Sequence, residues 1–407
     1  MFFKKRKYMF LICIILLVIL AYVTNITNIP KSLILFQNQK IDISPIFGVK
    51  LEESIPVGAE IVSENQQKQT KKEYNLSMLG INLKKITADI IPTIKVVPLG
   101  NLIGLKLNTK GVLVVGTSEI KGEDNKIYKP YEEAGINQGD LIIQINGEEV
   151  ETADELIACV SKCKGNKIDI KYESNGEILN TTMKPVKTSE KVYKIGLWVR
   201  DAAAGVGTAT FYCPSTKSVA TLGHGIQDID TGELIDISSG EFVTSEIIGI
   251  KKGEKENPGK IEGTIENSTM IGNIYTNTNF GVYGKYDDIT KLNISEQDVI
   301  EVAARNEIKI GKASIICTLE DNIRREFEVE IEKVYVNNNE NNKSMVVKVT
   351  DKELLKKTGG IIQGMSGSPV IQNGKLIGAL THVLVSSPDT GYAVFADMMV
   401  KEMKEVD

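Results

Sequence analysis

Histidine is scarce in this 407-residue chain: His224 and His382 are the only two. Any imidazole general base must therefore be one of them. Cysteine is nearly as sparse, with five residues at 13, 159, 163, 213 and 317, and no pair has the Cys-x-x-Cys spacing of a zinc module. That excludes the common structural metal sites, so neither a metal nor another cofactor is expected. Cys159 and Cys163 fall four apart on an expected helix, a geometry suited to packing rather than to a disulfide. The body of the chain also lacks excess positive charge. The net charge is −5, and setting aside the +4 of Lys4, Lys5, Arg6 and Lys7 leaves −9 for the remainder. An acidic body without a basic stripe argues against nucleic-acid binding. No internal repeat is evident. What remains is an ordinary globular composition, 42% hydrophobic and 25% charged, with room for two or three domains.

The basic cluster at residues 4–7 is followed by 23 residues without a charge, up to Lys31. About 20 apolar residues span a bilayer, and flanking cations favour a cytoplasmic N-terminus. Residues 1–30 are thus expected to be a basic tail and a transmembrane signal anchor. A cleaved signal peptide is the competing reading, weakened by the poor placement of small residues around Ala21-Tyr22-Val23. Residues 31–97 hold short strand-like runs at 48–51 and 57–62. A polar stretch over 63–73 reads as a solvated loop, either a plain linker or a cleavage point.

Residues 98–188 form a second unit. A Gly-bounded segment, Leu99 to Leu105, is followed by Gly111-Val112-Leu113-Val114-Val115 and by Ala134-Gly135-Ile136-Asn137-Gln138-Gly139-Asp140-Leu141-Ile142-Ile143-Gln144-Ile145-Asn146-Gly147. Ala153, Leu156, Ile157 and Val160 then recur at helical spacing, and strands at 167–172 and 177–183 close the unit. The run from Ala134 through the helix resembles a bacterial PDZ domain. That resemblance implies a backbone loop at Leu102, Ile103, Gly104 and Leu105 that captures an extended peptide. Leu156, with Val160 beyond it, would line the helix side of the groove.

Residues 189–407 read as short strands with abundant glycine and little helix, hence a β-barrel or sandwich. Near their end lies Gly364-Met365-Ser366-Gly367-Ser368-Pro369, then a hairpin turning at Asn373-Gly374. Glycines on both sides of Ser366 permit a tight, exposed turn on which backbone N–H groups can converge on an oxyanion. The hexapeptide resembles the Gly-Asp-Ser-Gly-Gly-Pro turn of chymotrypsin-like serine proteases. A serine nucleophile needs a base. His224, in Leu222-Gly223-His224-Gly225-Ile226, follows a strand as the histidine of that family does, and His382 is the rival. The orienting carboxylate is open: Asp287, Asp288 or Asp298 by midway position, or Asp351, which equally suits the N-cap of a helix over 352–357.

Taken together, the anchor, the PDZ-like unit and these motifs resemble the stage IV sporulation protein B peptidases. Residues 31–97 match least. The resemblance places the catalytic triad on Ser366, His224 and Asp351, and the oxyanion hole on the N–H groups of Gly364 and Ser366. It implies a mainly β chain with an N-terminal transmembrane helix, an α+β PDZ domain and a C-terminal chymotrypsin-like barrel. It further implies a membrane-anchored endopeptidase, active between forespore and mother-cell membranes on a membrane-associated regulator, and cleaving itself in trans near the anchor. A membrane-tethered PDZ scaffold with an inactive protease-like domain is the alternative.

Overall fold

The computed structural model describes residues 32–36, 49–54, 70–78 and 81–404, except 92, 288, 293, 296, 321–322 and 337–340. It also describes eight helical residues between 13 and 24. The expected anchor at 1–30 lies largely outside the described residues. Among those described, no helix is long and apolar enough to cross a membrane. The expected strand at 57–62 is likewise outside them. Strands Ser32–Phe36, Val49–Ser54, Thr70–Met78 and Ile81–Ile91 form a four-stranded sheet. The solvated loop expected over 63–73 is corrected at its end: residues 70–73 already pair with residues 87–90. Backbone pairing holds these polar residues in a strand and leaves the Lys71 and Glu73 side chains exposed.

The C-terminal part is built from two closed barrels. The strands used below are β1 (Leu102–Thr117), β2 (Leu141–Ile145), β3 (Ile168–Ser174), β4 (Glu177–Met183), β5 (Leu197–Cys213), β6 (Ser218–Thr221), β7 (Ile237–Thr244), β8 (Met270–Thr278) and β9 (Gly281–Tyr286). After them come β10 (Gly311–Glu320), β11 (Ile323–Val334), β12 (Met345–Val349), β13 (Pro369–Gln372), β14 (Lys375–Leu384) and β15 (Ser387–Phe395). Pairing runs β1–β5–β6–β9–β8–β7 and back to β1, which closes the first barrel. It runs β10–β11–β12–β15–β14–β13 and back to β10, which closes the second.

Alternation explains the walls. In β11, Phe327, Val329 and Ile331 enter the second core while Glu328, Glu330 and Glu332 face water. Ile103, Leu105 and Leu107 of β1 fill the first core with Phe242, Ile271 and Val282. The hairpin β13–β14 turns at Asn373 and Gly374, both at positive φ, as a two-residue turn of matching twist requires.

This arrangement corrects the PDZ-like reading at its start. Leu102, Ile103, Gly104 and Leu105 are no peptide-capturing loop. They are buried in β1, all four paired to β5 and Ile103 to Leu105 paired on the other edge to β7. Their apolar alternation is satisfied by the barrel core, and an edge already paired cannot take a further strand. The α+β unit begins beyond a register shift near Thr109, where β1 leaves the barrel and pairs with β2. Helix α1 (Ala153–Lys162) starts on a capping box between Thr152 and Glu155. It buries Leu156 and Val160 against Val112, Ile142, Ile168 and Ile170, so Leu156 is a core residue of the unit.

Helix α2 (Lys352–Thr358) follows β12, and helix α3 (Ala396–Lys404) follows β15. The entry to α3 is held by a buried ion pair. Arg305 Nε and NH2 donate to Asp397 Oδ2 and Oδ1 at 2.9 and 2.8 Å, and the guanidinium lies 5.0 Å from the Phe395 ring centroid. Both side chains are essentially inaccessible. Removing one partner strands the other charge, a loss of about 3–5 kcal/mol. Asp397→Ala should accordingly lower the unfolding free energy by about that amount in urea titration, whereas an exposed control such as Glu328→Ala should change it by less than about 0.5 kcal/mol.

Candidate active site

The serine turn and the histidine turn meet between the barrels. At Gly364 and Gly367 φ is 96° and 97°. A Cβ on Gly367 would lie 2.0 Å from Thr208 O and 2.6 Å from Leu222 N, so only glycine lets the two turns touch. On the other side, Leu222 and Gly223 both take positive φ and swing His224 out of the end of β6. A Cβ on Gly223 would press on Ala379 and Thr381 of β14 and on Val394 of β15. The small residue before the histidine is thus a requirement of barrel-to-barrel contact.

Thr208, which is buried and was not singled out from sequence, ties both turns together. Its N–H donates to Ser366 O at 3.0 Å and its Oγ1 to Gly364 O at 2.7 Å, while its carbonyl accepts from Leu222 N at 3.2 Å. Asn277, also unforeseen, holds the start of the loop after His224. Its side chain accepts from Ile226 N at 2.8 Å and donates to the carbonyls of Ile226 and Ile235 at 2.8 and 2.9 Å. A threonine and an asparagine inside strands carry no sequence signal of such a role; only the fold supplies their partners.

Ser366, His224, His382, Gly205, Val206, Leu222 and Gly364 line one cavity of about 440 Å³. Ser366 Oγ donates to Thr381 O at 2.7 Å, and no bond links it to His224 in this arrangement. His224 Nδ1 lies 2.9 Å from Gly225 O. A carbonyl can only accept, so Nδ1 bears the proton and Nε2 keeps a free lone pair, the tautomer that a base needs. Burial lowers the His224 pKa, with the Gly225 carbonyl opposing it. The His382 ring lies 5.1 Å from the His224 ring, centroid to centroid. Its pKa is lowered by burial, by repulsion from His224 and by Lys343. The N–H groups of Gly364 and Ser366 donate to no backbone carbonyl among the described residues, which leaves both available to an oxyanion.

Asp351 sits elsewhere. Its Oδ1 accepts from Leu354 N at 2.9 Å as the N-cap of α2, and it does not line the cavity. Among the other carboxylates considered, Asp298 pairs with Arg324, and Asp288 lies outside the described residues. Ser368 is fully buried and its Oγ donates to Met365 O at 2.7 Å, so it closes the turn rather than facing the cavity.

Comparison with known proteins decides the family. The model of the SpoIVB peptidase S55 family matches residues 191–400, just over half of the chain. The chain belongs to the SpoIVB peptidase S55 family. The α+β unit lies before the matched S55 region. A curated relative, the zinc metalloprotease RasP of Shouchella clausii, is 37% identical over 95 residues, 23% of this chain and 22% of RasP. The chain therefore spans about a fifth of that relative. Among solved structures, the PDZ domain of the SdrC-like protein Lmo2051 from Listeria monocytogenes is similar over 22% of this chain and 87% of that one (22% identity, TM-score 0.19). The HtrA-type protease AlgW with a decapeptide is similar over 51% of this S55 peptidase and 54% of AlgW (13% identity, TM-score 0.29).

Thr208→Val keeps shape and main-chain bonds but removes the hydroxyl that fixes the Gly364 peptide. A lost hydrogen bond of this kind costs about 1 kcal/mol. We expect a corresponding fall in unfolding free energy and a drop of about tenfold in the maximal rate of fluorophosphonate labelling, because the Gly364–Met365 peptide then loses one of the tethers that hold the serine turn in place.

Proposed function

We propose that Ser366 is the nucleophile of this peptidase and His224 its general base. The observation that carries the reading is that one cavity holds the serine on a double-glycine turn and a histidine whose Nε2 is free. Rotation about one side-chain bond frees Ser366 Oγ from Thr381 O. Oγ then bonds to the scissile carbonyl carbon as its proton passes to His224 Nε2. The N–H groups of Gly364 and Ser366 take the oxyanion; one such donor contributes about 100- to 1,000-fold in rate. His224 next gives the proton to the leaving amine, and water releases the acyl group by the same steps.

Family membership and the charge pattern of residues 1–30 support the wider reading. The peptidase is anchored by its N-terminal segment with the barrels outside the cytoplasm, in the space between forespore and mother-cell membranes. There it cleaves a membrane-associated regulator during sporulation. The stretch over 63–69, largely polar and near the anchor, suits cleavage in trans by a second copy. The PDZ-like unit binds peptide and regulates the barrels, although not through the loop first expected. A tethered scaffold without activity is the competing reading, favoured by the bond of Ser366 to Thr381 O rather than to His224.

Fluorophosphonate labelling with mass spectrometry decides between them. Wild-type protein and Ser368→Ala should each gain one adduct, on Ser366, and Ser366→Ala should gain none and no longer cleave itself; an unlabelled wild type makes the scaffold reading correct.

The place of Asp351 in the triad is separable from its capping role. Asparagine caps a helix as well as aspartate does, so Asp351→Asn should change stability by less than about 0.5 kcal/mol. If the carboxylate serves His224 during turnover, kcat falls about 10,000-fold in the same variant. A kcat within a few-fold of wild type confines Asp351 to the cap.

A further inference from the structure

The α+β unit and the first barrel share one long ribbon, β1 against β5. At its outer end, residues 197–200 of β5 pair antiparallel with residues 113–117 of β1. Leu197 and Val199 pack against the core that contains Leu156 and Val160 of α1. The N–H of Ala153, the first residue of α1, donates to Asp201 Oδ2 at 2.8 Å. A strand added to a sheet edge beside a helix is how a peptide binds in strand-addition recognition. Here the chain's own β5 takes that place, so a peptide bound there would have to displace it.

From this strand Arg200 reaches the loop that follows His224. Its NH1 donates to Asp228 Oδ2 and its NH2 to Asp230 Oδ2, the latter at 2.7 Å. Asp228 is 3% exposed. Its other oxygen accepts from the N–H groups of Asp230 and Thr231 at 2.9 and 3.0 Å, and its main chain bonds to Glu233 and Gly232. The α+β unit touches the same turn through Gln138 Nε2, 2.8 Å from Asp230 O. The loop is thus internally bonded, fixed by Asn277 near His224 and by Arg200 at its far side.

We propose that Arg200 is a positioning residue for His224, acting through Asp228, and that it carries the state of the strand beside α1 into the active site. This deepens the reading of His224 as the base and rests on it. Asp228 is ionised: burial opposes its charge, but the N–H groups of Thr231 and Asp230 and the guanidinium outweigh that and hold its pKa below the usual carboxylate range. Without Arg200 a buried carboxylate loses its counter-ion, and a charge so stranded moves toward water. His224, four residues upstream, moves with the loop.

The test uses the full-length chain in detergent micelles and reads His224 directly. The chain has only two histidines, so 13C-histidine NMR resolves both titrations, and His382→Gln assigns them. The titratable group facing His224 across the cavity is His382 on β14, with Lys343 acting on His382, and Ser366 lies on the serine turn. In the wild type burial holds His224 below its ordinary value near 6.5. A loosened loop admits water, so in Arg200→Ala the titration rises toward that value. Asp228→Asn separates position from charge. Loss of a nearby negative charge alone lowers a histidine pKa, whereas loss of position raises it. Both variants should therefore shift His224 upward.

Fluorophosphonate inactivation gives the second readout. Its maximal rate should fall about 10- to 100-fold in both variants with the half-saturating concentration within about twofold, because misplacement by about 1 Å can cost 100-fold. Arg200→Lys, which keeps the charge, should recover part of the loss. Emission from Trp198, the only tryptophan and 64% exposed on the same strand, monitors whether β5 stays in place. A His224 titration unmoved in Arg200→Ala, or moved down in Asp228→Asn, overturns the proposal. If Arg200→Ala does not fold, Asp228→Asn decides by the sign of its shift. A wild type that titrates normally but does not label overturns the nucleophile reading, while the NMR shifts still judge the Arg200 link.

Discussion

Everything in the candidate active site depends on the bonds made by Thr208. A serine protease of two barrels must bring a turn from each barrel within a few ångströms of the other, yet neither turn can hold the other by side-chain burial, since both must stay open to substrate. The buried Thr208 resolves this with three hydrogen bonds, two to the serine turn and one to the residue two before His224. Glycine at 223 and 367 removes the Cβ atoms that would prevent the approach. Main-chain bonds in a dry interface are rigid and cannot be re-solvated cheaply, so the turns are held without covering the cavity.

The same constraint gives meaning to the long strands. Leu102–Thr117 and Leu197–Cys213 run from the barrel core into the α+β unit as one ribbon. Thr208 is at the barrel end of that ribbon, and Arg200 is at the other. A displacement of one end would have paired backbone to travel along rather than loosely packed side chains. The proposed regulation by the α+β unit would then be a matter of strand placement and of an ion pair to the histidine loop, rather than of a distant conformational signal.

Electrostatics in the cavity follows from its poverty in carboxylates. His224 and His382 face one another and both are held toward the neutral form, chiefly by burial. Three carboxylates that lie between His224 and Ser366 in sequence are employed elsewhere: Asp228 on Arg200, Asp298 on Arg324, Asp351 on the first turn of α2. What fixes the His224 tautomer in this arrangement is the Gly225 carbonyl.

Local patterns were enough to determine a good deal. The Asn373-Gly374 hairpin, the capped helix from Ala153, the alternating strand at Phe327 to Glu332 and the N-cap at Asp351 each depend on neighbours in the chain, and each is legible there. Ser366 and His224 could be named there as candidates, because a glycine-bounded turn and a scarce histidine are distinctive residue by residue. Local reading failed at Leu102 to Leu105, where an apolar, glycine-containing run suits both a peptide-capturing loop and a barrel strand. Which one it became was decided by the partners on its two edges, β5 and β7, more than 90 residues away in sequence. Thr208, Asn277 and Arg200 were invisible for the same reason. A polar side chain acquires its role from the groups it meets: closure of the first barrel supplied those of Asn277 and Arg200, and its contact with the second barrel those of Thr208.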